Sequence, residues 1–470
     1  MKRRWLGTVS LLAVFSLVMA ACGDDDSTTT TTGAPTGDTT AATAAPATTT
    51  APATTAAPDD GGVAFDTGVT PAPCPDAVNE GNGCIYLGII SDLTDGPFAP
   101  LAVVITAAQE DFWNGINADG GLDGFDVFIS AENTFDHHYD PGLTVEGYAG
   151  MRDRVLMLAQ LLGTPQTQAV LPDLTADNTP AAPATWWSGL AFSDIDGGLI
   201  LESGAPYCIE AMNAMFFATN AMGTDISWAL VAFPGDYGGD WAAGAKIAAS
   251  QLGLGDPVAE LLQIPFSVGG DAAENVAQLV AAAPDLIVIV TGPREMATLV
   301  GGTFGAGHQA FKVMGAVPTW NVGLLANPDL VPLLQAVYWL SSPWGGWSTD
   351  SAGHAAMRAS AEANGRDPNP SYLFGWVWQY PVKTLLTQAI ASGDLTRGNL
   401  ASLAESLSGI DYQGILPTRT YVGAANDHIE RSSFVNGIDP DEPDGLTPLT
   451  DATVSQIAAD FNLAAPCFVG

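Results

Sequence analysis

Apolar and polar positions fall along this chain in blocks of two kinds. The first clear block is a short apolar run at 85–90, of the length and composition of a strand buried on both faces. A polar turn follows at 91–97, and then Leu101, Val104, Ile105, Ala108, Phe112 and Ile116 recur on one face of a helix. Gly120 is placed to end that helix in a left-handed conformation, and a new strand is expected at 126–130. Strand, helix and strand in this order make a βαβ unit with parallel pairing. The same alternation predicts strands at 154–161, 226–233, 261–266, 285–290 and 312–317, with a further strand end near 178–187. Helices are expected at 142–152, 207–222, from Asp240, at 271–283, at 295–304 and as one long helix within 371–391. The interruptions at 199–206 and 341–344 read as crossings between two lobes.

In open parallel sheets, ligands sit beyond the carboxyl ends of the strands. The loops there supply the candidate site: Thr94, Asp95, Gly96 and Phe98 in the first turn, and Thr164, Gln166 and Thr167 after the next strand. Thr164 reads as a helix N-cap with Pro165 in the first turn, leaving amides free for a carboxylate or carbonyl oxygen. Ala181, Ala182 and Pro183 form another strand end. Trp186 and Trp187 follow; facing opposite ways in extended chain, one would be core and the other a cleft wall. Tyr237 and Trp320 hold the corresponding places in the second half. Adjacent His137 and His138 between Asp136 and Asp140 suggest metal, but neighbouring histidines on a loop point apart; a solvated loop is expected there.

The ends of the chain change the picture. Lys2, Arg3 and Arg4 precede a short apolar run and Met19-Ala20-Ala21-Cys22, an export signal resembling a bacterial lipoprotein box. Cys22 is expected to carry the lipid anchor of the mature chain. Residues 27–58 are almost wholly Thr, Ala, Pro and Gly, so they cannot build a core. Fully extended at about 3.1 Å per residue, this tract would reach on the order of 100 Å. A tether over 22–83 is expected. The formal charge of −37 opposes binding of nucleic acid or anionic lipid. Besides Cys22 there are Cys74, Cys84, Cys208 and Cys467, which suits disulfides in an exported chain. Four cysteines allow three pairings; Cys74–Cys84 with Cys208–Cys467 is the expected one.

No nucleophile elbow, P-loop, dinucleotide fingerprint or metalloprotease motif is present, which disfavours an enzyme, a metal site or a cofactor. The stretch LGIISDLTDGPFA with INADGGLDG, together with 163–167, 179–183 and Pro234-Gly235-Asp236-Tyr237-Gly238, resembles the substrate-binding components of ABC importers, in the group of leucine/isoleucine/valine-binding proteins. The resemblance covers nearly all of 84–470. It implies an α/β fold of two Rossmann-like lobes with parallel sheets and a three-crossover hinge. The lobes would be 84–206 plus 342–410, and 207–341 plus 411–470. It implies a monomeric, lipid-anchored receptor that delivers a branched-chain amino acid, amide or short carboxylate to a membrane permease. A sensor on the same fold, or an exported hydrolase, is the alternative. By the same resemblance Thr164 and Thr167 would supply hydroxyls to a ligand carboxylate, 181–183 backbone groups, and Tyr237 a closing ring. The carboxylate that usually holds the ligand ammonium is missing: no Asp or Glu lies between Lys312 and Asp329.

Overall fold

Two parallel sheets carry the architecture of the computed structural model, which describes residues 62–470. Cys22, the export signal and the first part of the expected tether lie outside the described residues. In the first sheet Gly83–Ser91 is flanked by Phe125–Asp136 and Met157–Leu162, with Ala181–Ala184 beyond the latter, all parallel. Its side chains alternate as a strand buried on both faces requires. Ile85, Leu87 and Ile89 pack on helix Ala99–Ala118 through Leu101, Ile105 and Phe112, whereas Ile90 joins Tyr148, Leu158 and Val170 on the other face. Gly88 is required for close approach: a Cβ there would lie 2.7 Å from Met151 Sδ and 2.8 Å from Leu158 Cδ2.

The second sheet runs Ala259–Leu262, Trp228–Ala232, Leu286–Val290, Lys312–Gly315 and Tyr338–Ser342 in parallel, then Phe434–Ile438 and Leu446–Pro448 antiparallel. Between visits to this sheet the chain returns to the first one. Helices Pro370–Val377 and Gln379–Ala391 pack there, with Trp113 Nε1 donating to Gln379 Oε1 at 2.8 Å and Gln379 Nε2 to Ala159 O at 3.1 Å. The chain therefore passes between the sheets three times, after Ile200, after Ser342 and before Phe434.

Several boundaries differ from the sequence reading. Residues 62–83, expected in the tether, are folded: Ala64–Phe65 pairs with Asp394–Leu395 and Val69–Thr70 with Cys84 and Ile85. The second strand continues to Asp136 through a register shift, so the polar stretch after Ser130 is sheet edge before it is loop. The helix expected from Asp240 begins at Asp236, because Gly235 at φ 88° turns the chain early. The strand expected at 261–266 is Ala259–Leu262, and Phe266 opens a short 3-10 turn. The single long helix is two, meeting at Trp378. Both disulfides are formed, Cys74–Cys84 and Cys208–Cys467.

Candidate functional site

A small apolar cavity of about 40 Å³ lies where strand ends of the two sheets face each other. The first sheet side supplies Phe98, Leu101, Ile105, Tyr139, Leu162, Gly163, Thr164, Ala184 and Trp186. Across from them stand Tyr207, Tyr237, Val317 and Pro318, and the returning helices add Phe374 and Trp378. None of these residues is charged.

Phe98 is aimed into the cavity by a carboxylate. Asp92 is fully buried, and its two oxygens accept from Gly96 N at 3.0 Å and Phe98 N at 2.8 Å. The fit explains Gly96, where a Cβ would lie 2.2 Å from Asp92 Oδ1. Burial pushes the Asp92 carboxyl up to about 6, against those two amide hydrogen bonds. The Phe98 ring meets Tyr139 and Tyr237 edge-on, with centroids 5.0 and 5.8 Å away.

Tyr139 reaches the cavity through the segment expected to be a solvated loop. His138 and Tyr139 both have left-handed backbone, at φ 50° and 61°. His137 is buried instead of solvated: Nε2 lies 2.9 Å from Leu162 O, and Nδ1 accepts from Tyr139 N at 2.9 Å. Burial lowers its pKa to about 4, so the ring is neutral and acts as a bracket. Gln166 Nε2 donates to Tyr139 O at 2.7 Å and closes the same bracket from the next helix.

Helix Thr164–Asp177 points its first turn at the cavity, but Gly163 at φ 100° is the N-cap, not Thr164. Thr164 is already helical, and its Oγ1 is 2.5 Å from Thr185 Oγ1. Thr167 donates to Gly163 O at 2.8 Å and does not reach the cavity. Amides of a first helical turn have no partner within the helix, so this end suits an anionic oxygen. From the other sheet, Tyr237 donates its hydroxyl to Thr291 O at 3.1 Å while its ring lies 5.1 Å from that of Tyr207.

Of the residues singled out in the sequence, Phe98, Thr164, Trp186 and Tyr237 are brought together here. Thr94 and Asp95 stand on the exposed rim, bonded to Asp136 Oδ2 at 2.6 Å and His138 Nδ1 at 2.7 Å. Ala181, Ala182 and Pro183 are buried in their strand, and its last residue, Ala184, takes the place in the wall. Trp320 lies elsewhere: the 3-10 turn Val317–Thr319 carries it past the cavity, and it stacks on Tyr338 at 6.2 Å. The two tryptophans do divide, with Trp187 packed against the opposite face and bonded to Phe468 O at 2.9 Å. Unforeseen wall residues include Tyr139, Tyr207, Phe374 and Trp378. Tyr139 follows the true end of its strand at Asp136, which the sequence reading placed at 130, whereas Phe374 and Trp378 come from a helix apolar all round, where pattern marks no special face.

Residues 85–442 match the family described as periplasmic binding protein. The chain belongs to this family. Its members are extracytoplasmic solute-binding proteins, and among the described residues no helix is long and apolar enough to cross a membrane. This periplasmic binding protein is similar to a fatty acid ABC transporter substrate-binding protein from Thermomonospora curvata, at 25% identity and TM-score 0.74, covering 85% of this chain and 97% of that one. A branched-chain amino acid ABC transporter protein from Thermus thermophilus with bound valine is 15% identical at TM-score 0.66, covering 80% and 98%. A solute-binding protein from R. palustris in complex with 4-hydroxybenzoate is 14% identical at TM-score 0.65, covering 79% and 98%. These last two likenesses establish the fold alone. No curated protein sequence matches the chain significantly.

Proposed function

We propose that this periplasmic binding protein is the receptor of an ABC importer and that its ligand is an organic acid with an apolar body. The observation that carries the reading is the wall of the cavity: aromatic and aliphatic throughout, without a charged side chain, and bounded at one end by the Gly163–Thr164 helix start. An apolar body would gain on the order of 25 cal/mol per Å² buried against such a wall. Its carboxylate would take the free amides and the Thr164 hydroxyl. A free amino acid fits poorly, because an ammonium buried without an anionic partner costs several kcal/mol. The fatty acid protein from Thermomonospora curvata supports the same choice of chemistry. A cavity of about 40 Å³ has room for no more than a few water molecules, so entry of a ligand requires the two sheets to move apart.

The lobes would divide at 206/207, 341/342 and 410/411, the mature monomer being held to the outer face of the membrane by lipid on Cys22. Calorimetry with benzoate, medium-chain fatty acids and leucine tests the ligand class. Micromolar binding of an apolar acid with leucine silent is expected, and Tyr237→Ala should weaken it by about tenfold or more. Tighter binding of leucine, or binding of no acid at all, would overturn the proposal.

A further inference from the structure

Behind the apolar cavity lies a second, smaller space that shares two of its walls, Val317 and Phe374. Its volume is about 10 Å³, and its lining includes Asn436 and Trp344. Asn436 lies in strand Phe434–Ile438, opposite Leu340, and is 1% exposed. Neither its side-chain nitrogen nor its side-chain oxygen has a hydrogen-bond partner. The indole Nε1 of Trp344 is likewise buried without a partner. That ring lies edge-on to Phe374 at 5.6 Å and to Trp186 at 5.5 Å, so the indole of the smaller space packs on two walls of the larger one.

Asparagine is disfavoured in strands, and a buried amide left unpaired costs about 1–3 kcal/mol per group. A leucine in this strand would avoid that cost. A polar side chain facing a cavity that continues the ligand site is therefore a feature of binding chemistry.

We infer, on the reading of the cleft as an acid-binding site, that Asn436 and Trp344 form a second subsite that recognises a neutral hydroxyl or carbonyl group at the far end of an elongated apolar acid. Asn436 offers a donor and an acceptor side by side, which a hydroxyl satisfies in both directions, and Trp344 adds a donor. A second carboxylate is disfavoured: Asp444, whose oxygens accept from Trp347 N at 2.9 Å and Leu446 N at 3.3 Å, lies next to this space, and no cationic side chain lines it. Phe374 separates the two spaces, so a ligand spanning both displaces that ring.

The test is calorimetry on the wild-type chain with matched pairs of linear fatty acids and their ω-hydroxy counterparts. The hydroxy acid should bind about tenfold more tightly than its parent. Asn436→Leu should reduce that advantage to about twofold or less, and Trp344→Phe should reduce it in part. Equal affinity of the two acids for the wild type would overturn the subsite, leaving the acid-binding cleft intact and assigning the small space to a water. Retention of the preference in Asn436→Leu would overturn it as well. If neither acid binds, the reading of the cleft falls and this inference falls with it. The wild-type pair decides the matter even if a variant fails to fold.

Discussion

Glu210 shows how one residue ties the cavity to the core beneath it. It is fully buried on helix Tyr207–Met222, three residues after Tyr207, and receives Trp241 Nε1 at 3.4 Å. Burial pushes its carboxyl up to about 7, despite the hydrogen bond from Trp241. The folded state therefore holds this proton more tightly than the unfolded chain does. Its contribution to stability is full below the ordinary value of 4.5 and is lost as pH rises toward 7. The loss is on the order of 3 kcal/mol. Glu210→Gln should accordingly raise the melting temperature more at about pH 8 than at about pH 5. Thermal melts across that range check this, and a constant offset would refute it. Sequence marked Glu210 only as one acid among 51. Tyr139 was obscured in the same way, by polar neighbours, until left-handed backbone turned its ring inward.

At the scale of elements, the apolar periodicity located the strands and helices of the βαβ series, and 207–222 to the residue, but not Tyr338–Ser342, Phe434–Ile438 or Leu446–Pro448 of the second sheet, nor the helix Ala352–Ala363. What it misjudged were ends, where the deciding residues are glycines with special backbone angles. Gly163 and Gly235, at φ 100° and 88°, set the starts of the two helices facing the cavity. The displacement of Trp320 has the same origin, since a 3-10 turn of three residues rotates the following side chain off the expected line. Apart from the disulfides, side-chain pairing between distant elements was not legible. Arg419, from the strand Arg419–Thr420, is buried against Glu202 at 2.9 Å, where the chain first leaves the first sheet. Tyr421 donates to Glu202 O at 2.6 Å in the same place. This pair ties two of the three crossings to each other. Arg419→Met leaves a buried carboxylate alone and should cost about 3–5 kcal/mol in urea denaturation. The double variant Arg419→Met/Glu202→Leu should recover most of that loss. If the double variant is as unstable as the single one, the coupling is absent.

For the molecule as a whole, the parallel βαβ pattern was enough to give the class of fold, because strands buried on both faces leave a strong signature. The cavity was only half visible, since its walls come from positions as far apart as Phe98 and Trp378, and chain pattern carries no information about which strand ends meet. The disulfide Cys208–Cys467 closes a loop across a separation of 259 residues, fastening the tail to helix Tyr207–Met222. Constraint of so long a loop is worth about 5 kcal/mol by the chain-entropy argument. Cys208→Ala/Cys467→Ala should thus lower the denaturation midpoint markedly, by more than Cys74→Ala/Cys84→Ala, whose loop spans 10 residues. The reverse ranking would count against that argument.

The two short strands ahead of Gly83–Ser91 have a mechanical consequence. Ala64–Phe65 is hydrogen-bonded beside Asp394–Leu395, Val69–Thr70 beside Gly83–Ser91, and Cys74 is covalently joined to Cys84. A pull on the chain at Ala64 is thus borne first by the pairing with Asp394–Leu395, a two-stranded sheet of its own, then by the pairing with the first sheet, and then by a covalent bond. The second sheet carries none of that load along this route. Reduction of Cys74–Cys84 would turn the last stop in this force path into a slipping one, letting out slack from residues 75–83 before the central strand is loaded.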